Sequence, residues 1–306
     1  MIFNNVVDAI GYTPMVKING LDESYADIYV KLEKNNPSGS VKDRPVKYII
    51  QDLMDKGVLK PGGTIVESTS GNTGVGLAMV GAALGIKVII VMPDSMSVER
   101  RMLMQAYGAE LVLTPAAGGM SLAGEKAEEI AKEHNAPIFG QFTNEANVTS
   151  HEETTAREIL ADLPDVDGFL AGIGTGGTVS GVGRALKANN PETVIWAVEP
   201  AASPLLTKGE AGPHKIQGLG ANFVPEILDR SVIDHIETVT NDEAIDTAVE
   251  LAKTQGILAG FSSGANYVGA LKLAKKLGKG KKVVVVFPDS GERYLSSGLF
   301  GNGQTE

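Results

Sequence analysis

The chain has 306 residues, of which 43% are hydrophobic and 21% charged, a balance that supports a substantial buried core. Its 27 basic and 37 acidic side chains leave a net charge of −10, and with 5% aromatics it offers little to a nucleic-acid backbone. Cysteine is absent, which excludes disulfides, thiolate metal sites and cysteine nucleophiles. The four histidines (His134, His151, His214, His235) lack H-E-x-x-H or comparable spacing, which argues against a histidine metal centre.

The start, Met1-Ile2-Phe3-Asn4-Asn5, has neither a basic n-region nor a long apolar core, so no signal peptide is expected. No apolar run reaches membrane-spanning length, and a cytoplasmic enzyme is the expectation. In chain order, strands are predicted at 27–32, 64–67, 87–92, 110–114, 168–173, 193–198 and 282–287. Helical patterns lie between them at 98–107, 122–134, 152–162, 242–255 and 267–277. This alternation predicts an α/β protein with a mostly parallel sheet covered on both faces. Runs such as Val283-Val-Val-Val-Phe287 have the continuous apolar character of buried parallel strands. The polar stretch Asn144-Glu145-Ala146-Asn147 is the one compositional seam, and the tail Gly301–Glu306 reads as mobile.

One lysine stands at a suggestive place. Asn35-Asn36-Pro37-Ser38-Gly39-Ser40 is a run of turn formers, and Pro45 suits the first turn of a helix, so Lys42 falls at a loop-to-helix seam. An amine near the positive end of a helix loses proton affinity, as an imine-forming lysine requires. A solvated surface lysine is the plainer reading.

Four glycine-rich loops follow. Glu67-Ser-Thr-Ser-Gly-Asn-Thr-Gly74 leaves a strand and opens a small-residue helix, presenting hydroxyls and N–H groups suited to a carboxylate or phosphate. Gly172-Ile-Gly-Thr-Gly-Gly-Thr178 satisfies G-x-G-x-x-G, with Glu199 placed to serve as the ribose-binding acid of a dinucleotide fold. The same residues equally suit a cup for a single phosphate, and the loop alone leaves both readings open. Gly260-Phe-Ser-Ser-Gly-Ala265 reads as a helix start capped by Ser262 or Ser263. Lys215-Ile-Gln-Gly-Leu-Gly-Ala221 has no period, and its glycines suggest close backbone approach or mobility. No Ser/His/acid triad is visible, and nothing selects a carboxylate pair for glycoside chemistry.

Taken together, these stretches resemble the cysteine synthase (O-acetylserine sulfhydrylase) family, fold-type II pyridoxal-phosphate-dependent β-family enzymes related to cystathionine β-synthase. The resemblance runs from Gly11-Tyr-Thr-Pro14 through Pro37–Arg44, Thr69–Gly74, Gly174–Thr178, His214–Gly220 and Phe261–Ala265 to Pro288–Leu295. It implies two three-layer α/β domains of the tryptophan synthase β-like kind. These would be residues 36–145 as a smaller, substrate-side domain, and 1–35 plus 146–306 as a larger domain holding the cofactor phosphate. It further implies pyridoxal 5'-phosphate bound to Lys42, which would also act as the base at the substrate Cα. Asn72 would bond the cofactor 3′ oxygen, Gly174, Thr175, Gly176, Gly177 and Thr178 would hold its phosphate, and Ser262 would meet the pyridine nitrogen. Thr69, Ser70, Gly71, Thr73, Gln141 and Gly218 would bind substrate.

The implied reaction is β-replacement, making L-cysteine from O-acetyl-L-serine and sulfide through an α-aminoacrylate intermediate. On the same scaffold, cystathionine β-synthase, cysteine desulfhydrase or lanthionine-forming activity is the alternative. An NAD-dependent oxidoreductase built on Gly172–Gly177 and Glu199 is the alternative of another class, and a non-enzymatic regulator using the same anion cups a third. The chain departs from the family at Gly119-Met120-Ser121-Leu122, where many members carry Gly-Met-Lys-Gly, so nucleophile choice is the open question. The loop from Gly218 to Ala221 carries no cation that would favour a phosphoserine substrate. Family likeness implies a homodimer and, in many members, capture of the C-terminal tail of serine acetyltransferase; no nucleic-acid, membrane or metal partner is expected.

Overall fold

Apolar runs and small-residue helices together dictate the architecture. The stretch KVIIVMP at Lys87–Pro93 is buried at every position after its lysine, as a parallel strand covered on both faces must be. In the computed structural model, which describes residues 2–301, strands and helices alternate along almost the whole chain. The order is β1 (Met15–Lys17), β2 (Asp27–Leu32), α1 (Asp43–Asp55), β3 (Thr64–Ser68), α2 (Asn72–Leu84), β4 (Lys87–Pro93), α3 (Val98–Ala106) and β5 (Glu110–Thr114). Then come α4 (Gly119–Glu133), α5 (Ala146–Ser150), α6 (Ala156–Asp162), β6 (Gly168–Gly172), α7 (Gly177–Asn189), β7 (Val194–Pro200) and α8 (Leu205–Lys208). β8 (His235–Val239), α9 (Asn241–Gln255), α10 (Phe261–Leu277) and β9 (Lys282–Phe287) follow, and a 3-10 helix at Gly291–Ser297 comes after β9.

The chain forms two units, Met1–Ile10 with Asn36–Asn147, and Gly11–Asn35 with Val148–Glu306. The first is built on a three-stranded sheet, β3-β4-β5, parallel throughout. Alternation along the strands divides its residues between two layers. Ile65, Val88, Ile90 and Met92 pack with Val46, Ile49 and Val80 of α1 and α2, while Val66, Ile89 and Val91 pack with Ala123, Ala127 and Ile130 of α4. Truncating a buried isoleucine such as Ile89 or Ile90 to alanine would cost about 2–5 kcal/mol.

The second unit is built on a six-stranded sheet in the order β1-β2-β9-β6-β7-β8. All pairings are parallel except β1 with β2, which run antiparallel. Val283, Val285 and Phe287 of β9, with Ile28, Val30 and Leu170, face α9 and α10 through Ala244, Leu251, Ala270 and Leu273. On the other face α7 closes on the sheet at Gly183, where an added Cβ would lie 3.4 Å from Cγ2 of Ile195.

Several expectations need correction. The expected division kept residues 1–35 together, but the first ten cluster with the smaller unit, where Val7 and Ile10 join its core. The short strands β1 and β8 carried too little apolar signal to be foreseen; β8 contains His235, Glu237 and Thr238. Helix α10 starts at Phe261, ahead of the predicted Tyr267, because Ser262, Ser263 and Gly264 are buried first-turn residues and not a loop. A π-turn at His151–Thr155 interrupts the helix predicted from Glu152. No helix of the described residues is long and apolar enough to cross a membrane. The mobility expected of the tail falls mainly on 302–306, which lie outside the described residues.

Candidate active site

In the first unit, Lys42 is the residue immediately before α1, in helical conformation and without a side-chain cap bond. Its loop is shaped by Gly39, which takes φ +88° and donates its N–H to Asn36 O at 2.8 Å. Ser38 donates its N–H (2.7 Å) and its hydroxyl to the buried Asp43 carboxylate, so the turn is tied to the helix it precedes. The Lys42 backbone N–H donates to Ser40 Oγ at 3.2 Å. Burial lowers the Lys42 amine to about 8. The sequence pointed to the helix dipole as the cause; desolvation is the operative one. Glycine at position 76 lets α2 lie against this loop, since a Cβ there would sit 3.1 Å from Asp43 Oδ1.

The first glycine-rich loop leaves β3 and enters α2. Thr69 extends the strand ladder by donating its N–H to Val91 O at 3.1 Å, and Gly71 precedes the helix in extended conformation. Asn72 and Thr73 are the first helical residues, so the helix begins inside the glycine-rich loop that was expected to precede it. The Thr73 hydroxyl donates to Gln141 Oε1 at 2.7 Å, joining two expected substrate-binding residues. Gln141 Nε2 donates to Glu67 Oε1 at 3.2 Å, and the Gly140 N–H donates to Glu67 Oε2 at 3.1 Å. Asn147 Nδ2 fixes the Gln141 carbonyl at 2.8 Å. Burial pushes the Glu67 carboxyl up to about 7, against the opposing pull of these hydrogen bonds. Arg100 of α3 donates to Ser70 O at 3.4 Å, bringing a cation to the same loop.

In the second unit, the loop after β6 turns into α7 at Gly176, whose φ of +84° lies in the left-handed region. A Cβ on Gly174 would lie 2.3 Å from Gly218 O, so these two backbones approach too closely for any side chain. The Gly218 loop is pinned there by the Gly220 N–H, which donates to Ile173 O at 3.0 Å. Thr175 Oγ1 accepts the Gly177 N–H at 3.3 Å. Thr178 Oγ1 lies 3.2 Å from Nε2 of the buried His151, whose Nδ1 lies 2.9 Å from Thr155 Oγ1. The N-terminus of a 13-residue helix with converging N–H groups is a natural anion site.

Ser262 sits buried in the first turn of α10, after Gly260 at the N-cap. A Cβ on Gly218 would lie 3.9 Å from Ser262 Oγ, which places the fourth loop beside the third. The expected serine cap does not form. The motif Pro288–Leu295 braces this turn instead: Tyr294 donates to Asp289 Oδ2 at 2.5 Å and stacks edge-on to Phe261 at 5.2 Å. Gly260 is required beneath it, because a Cβ would lie 2.3 Å from Asp289 Oδ1.

Glu199 has a structural duty that removes it from ribose binding. Its carboxylate accepts the N–H groups of Leu206 (2.9 Å) and Thr207 (3.0 Å) and the Thr207 hydroxyl (2.5 Å), capping α8. No cluster of metal-ligating side chains occurs among the described residues. Sequence reasoning passed over Glu67, His151 and Arg100. Glu67 did give a signal, as the one acid in strand β3, directly after the apolar pair Ile65-Val66.

Comparison with known proteins bears on this arrangement. Residues 6–289 match the family model described as pyridoxal-phosphate dependent enzyme. The cysteine synthase of Staphylococcus aureus is 53% identical over 300 residues, covering 97% of each chain. The structure of an O-ureido-L-serine synthase superposes with a TM-score of 0.96 at 46% identity, covering 100% of this chain and 98% of that one. That of a hydrogen sulfide-producing enzyme from Fusobacterium nucleatum superposes at 0.93 with 47% identity, covering 96% and 99%.

Proposed function

We propose that this chain, which belongs to the pyridoxal-phosphate dependent enzyme family, makes L-cysteine and acetate from O-acetyl-L-serine and sulfide. Its likeness to the staphylococcal cysteine synthase over nearly the whole of both chains carries the substrate assignment. The residues present fit the cofactor. Gly174 and Gly218 bring two backbones together with no room for a side chain, the α7 N-terminus favours an anion, and the depressed Lys42 amine is suited to an aldehyde.

When bound, pyridoxal phosphate supplies an aldehyde that captures the substrate amine and a ring that draws electrons from its Cα. Lys42 anchors the cofactor and moves a proton at the substrate Cα. With its amine near 8, roughly a tenth is neutral at pH 7, against less than about a thousandth for an ordinary lysine. Gly174, Thr175, Gly176, Gly177 and Thr178 hold the phosphate, and Asn72 bonds the ring oxygen. Ser262 offers the ring nitrogen a neutral hydroxyl, which keeps the ring a mild electron sink suited to losing a leaving group from Cβ. Thr69, Ser70, Gly71, Thr73, Gln141 and Gly218 hold the amino-acid substrate, its carboxylate against the hydroxyls and amide.

The likeness to a sulfide-producing enzyme favours one second reading, cysteine as substrate with sulfide released. Purified holoenzyme given O-acetylserine with sulfide, serine with homocysteine, or cysteine alone decides between them. A kcat/KM at least tenfold higher for the first pair supports the proposal, and dominant sulfide release from cysteine overturns it. We further propose a cytoplasmic homodimer that accepts the C-terminal tail of serine acetyltransferase at its substrate site. Family likeness supports this, and a tail peptide that fails to compete with O-acetylserine would count against the last part.

A further inference from the structure

The side-chain amide of Gln141 is ambiguous by shape alone: either end can point either way. Its surroundings remove the ambiguity. Oε1 accepts the Thr73 hydroxyl at 2.7 Å, and Nε2 donates to Glu67 Oε1 at 3.2 Å. Glu67 has its second oxygen occupied by the Gly140 N–H at 3.1 Å, so both of its oxygens face donors. All four groups belong to one unit, and Glu67, Thr73 and Gln141 are buried. An ionised carboxylate accepts only, and here it dictates that nitrogen, not oxygen, of the Gln141 amide faces it. That leaves the second Nε2 hydrogen as the one donor of the amide not yet committed.

We propose that Glu67 is a positioning residue for the substrate carboxylate: it orients the Gln141 amide so that a hydrogen of Nε2 is directed to that carboxylate. The inference rests on the assignment of Gln141 to substrate binding. An isosteric amide at position 67 cannot substitute for the carboxylate. One of its two ends must be a donor facing a donor, either the Gly140 N–H or Gln141 Nε2. If the Gly140 bond is kept, the Gln141 amide turns over, its oxygen moves towards Glu67's position, and its nitrogen is redirected to Thr73.

The test uses holoenzyme at pH 8, above the raised Glu67 value of about 7, with L-alanine as probe, since alanine carries the carboxylate but no leaving group on Cβ. Its dissociation constant is read from the change in cofactor absorbance for wild type, Glu67→Gln and Gln141→Ala, with thermal stability measured on each. The expected result is a dissociation constant raised about tenfold or more in both variants. With O-acetylserine, KM should rise by a similar factor in Glu67→Gln while kcat changes less than threefold. An unchanged alanine constant in Glu67→Gln, with Gln141→Ala impaired, overturns the role of Glu67 alone. An unchanged constant in Gln141→Ala overturns the assignment of Gln141 and this inference with it. If Glu67→Gln does not fold, Glu67→Asp carries the same test, because its carboxylate is held one methylene short of Gln141.

Discussion

Glu67 and Gln141, 74 residues apart in sequence, meet side chain to side chain at 3.2 Å, a buried acid bonded to a buried amide. The pairing joins the end of strand β3 to the segment after Ile138, whose bridge to Val66 extends the parallel sheet of the smaller unit. A strand-end acid in such a place has a measurable signature in stability as well as in binding.

Glu67 should make the protein less stable as pH rises. Its carboxyl titrates near 4.5 when exposed and near 7 in the fold, so between these values the folded state holds a proton that the unfolded state has lost. Stability is therefore full below about 4.5 and declines as pH passes through about 7. Urea melts of wild type and Glu67→Gln at pH 5 and pH 8 should show the difference between them changing by about 2–3 kcal/mol, against the wild type at the higher pH. A constant difference would remove the shifted carboxyl.

Lys42→Ala should abolish the visible absorbance that borohydride-reducible, lysine-bound cofactor provides and should lower turnover by about a thousandfold or more. Uptake of the cofactor by apoprotein needs a neutral amine, so its rate should rise with pH through about 8. A profile climbing only above pH 10 would mean that Lys42 is an ordinary solvated lysine.

Gly174→Ala should weaken cofactor binding. The new Cβ would lie 2.3 Å from Gly218 O, a backbone atom that cannot rotate away. Displacing that loop should cost about 1–3 kcal/mol and weaken the cofactor dissociation constant about tenfold or more. Equilibrium dialysis of the variant checks this, and wild-type affinity would argue that the loop yields freely.

Thr240→Ala probes stability away from the cups. Thr240 and Glu243 form a capping box at the start of α9, each side chain accepting the other's backbone N–H. Its loss should cost about 1 kcal/mol, read as a lower urea midpoint, while KM for O-acetylserine stays within twofold. A large change in KM would show that α9 communicates with the substrate site.

Much of the fold was legible because buried parallel strands have a strong local signature. The run at 282–287 and its counterparts at 27–32 and 110–114 matched strand bounds residue for residue, because each carries β-branched or other apolar residues with a charged or polar residue at one or both ends. Helix starts were less legible. The serines and glycines at 262–264 and the polar run at 72–74 look like loop, yet they are helical turns whose small size lets the surrounding backbone close in. Edge strands β1 and β8 need only one buried face and one hydrogen-bonded neighbour, so their sequences carry little hydrophobic alternation.

By itself the sequence determined the alternating α/β class, the glycine-rich loops after strands, and the lysine that leads into a helix, because these depend on local propensity and spacing. The loop at 172–178 alone could not choose between a dinucleotide fingerprint and a phosphate cup, since the same glycines serve both; only the resemblance along the whole chain favoured the cup. Tertiary structure decided that Glu199 caps α8, that Gly174 must stay bare beneath Gly218 O, and that burial is what lowers the Lys42 amine. It also decided that Glu67 faces Gln141. Each of these is a matter of which distant groups share a dry volume, where an unmet hydrogen bond or an unpaired charge costs most.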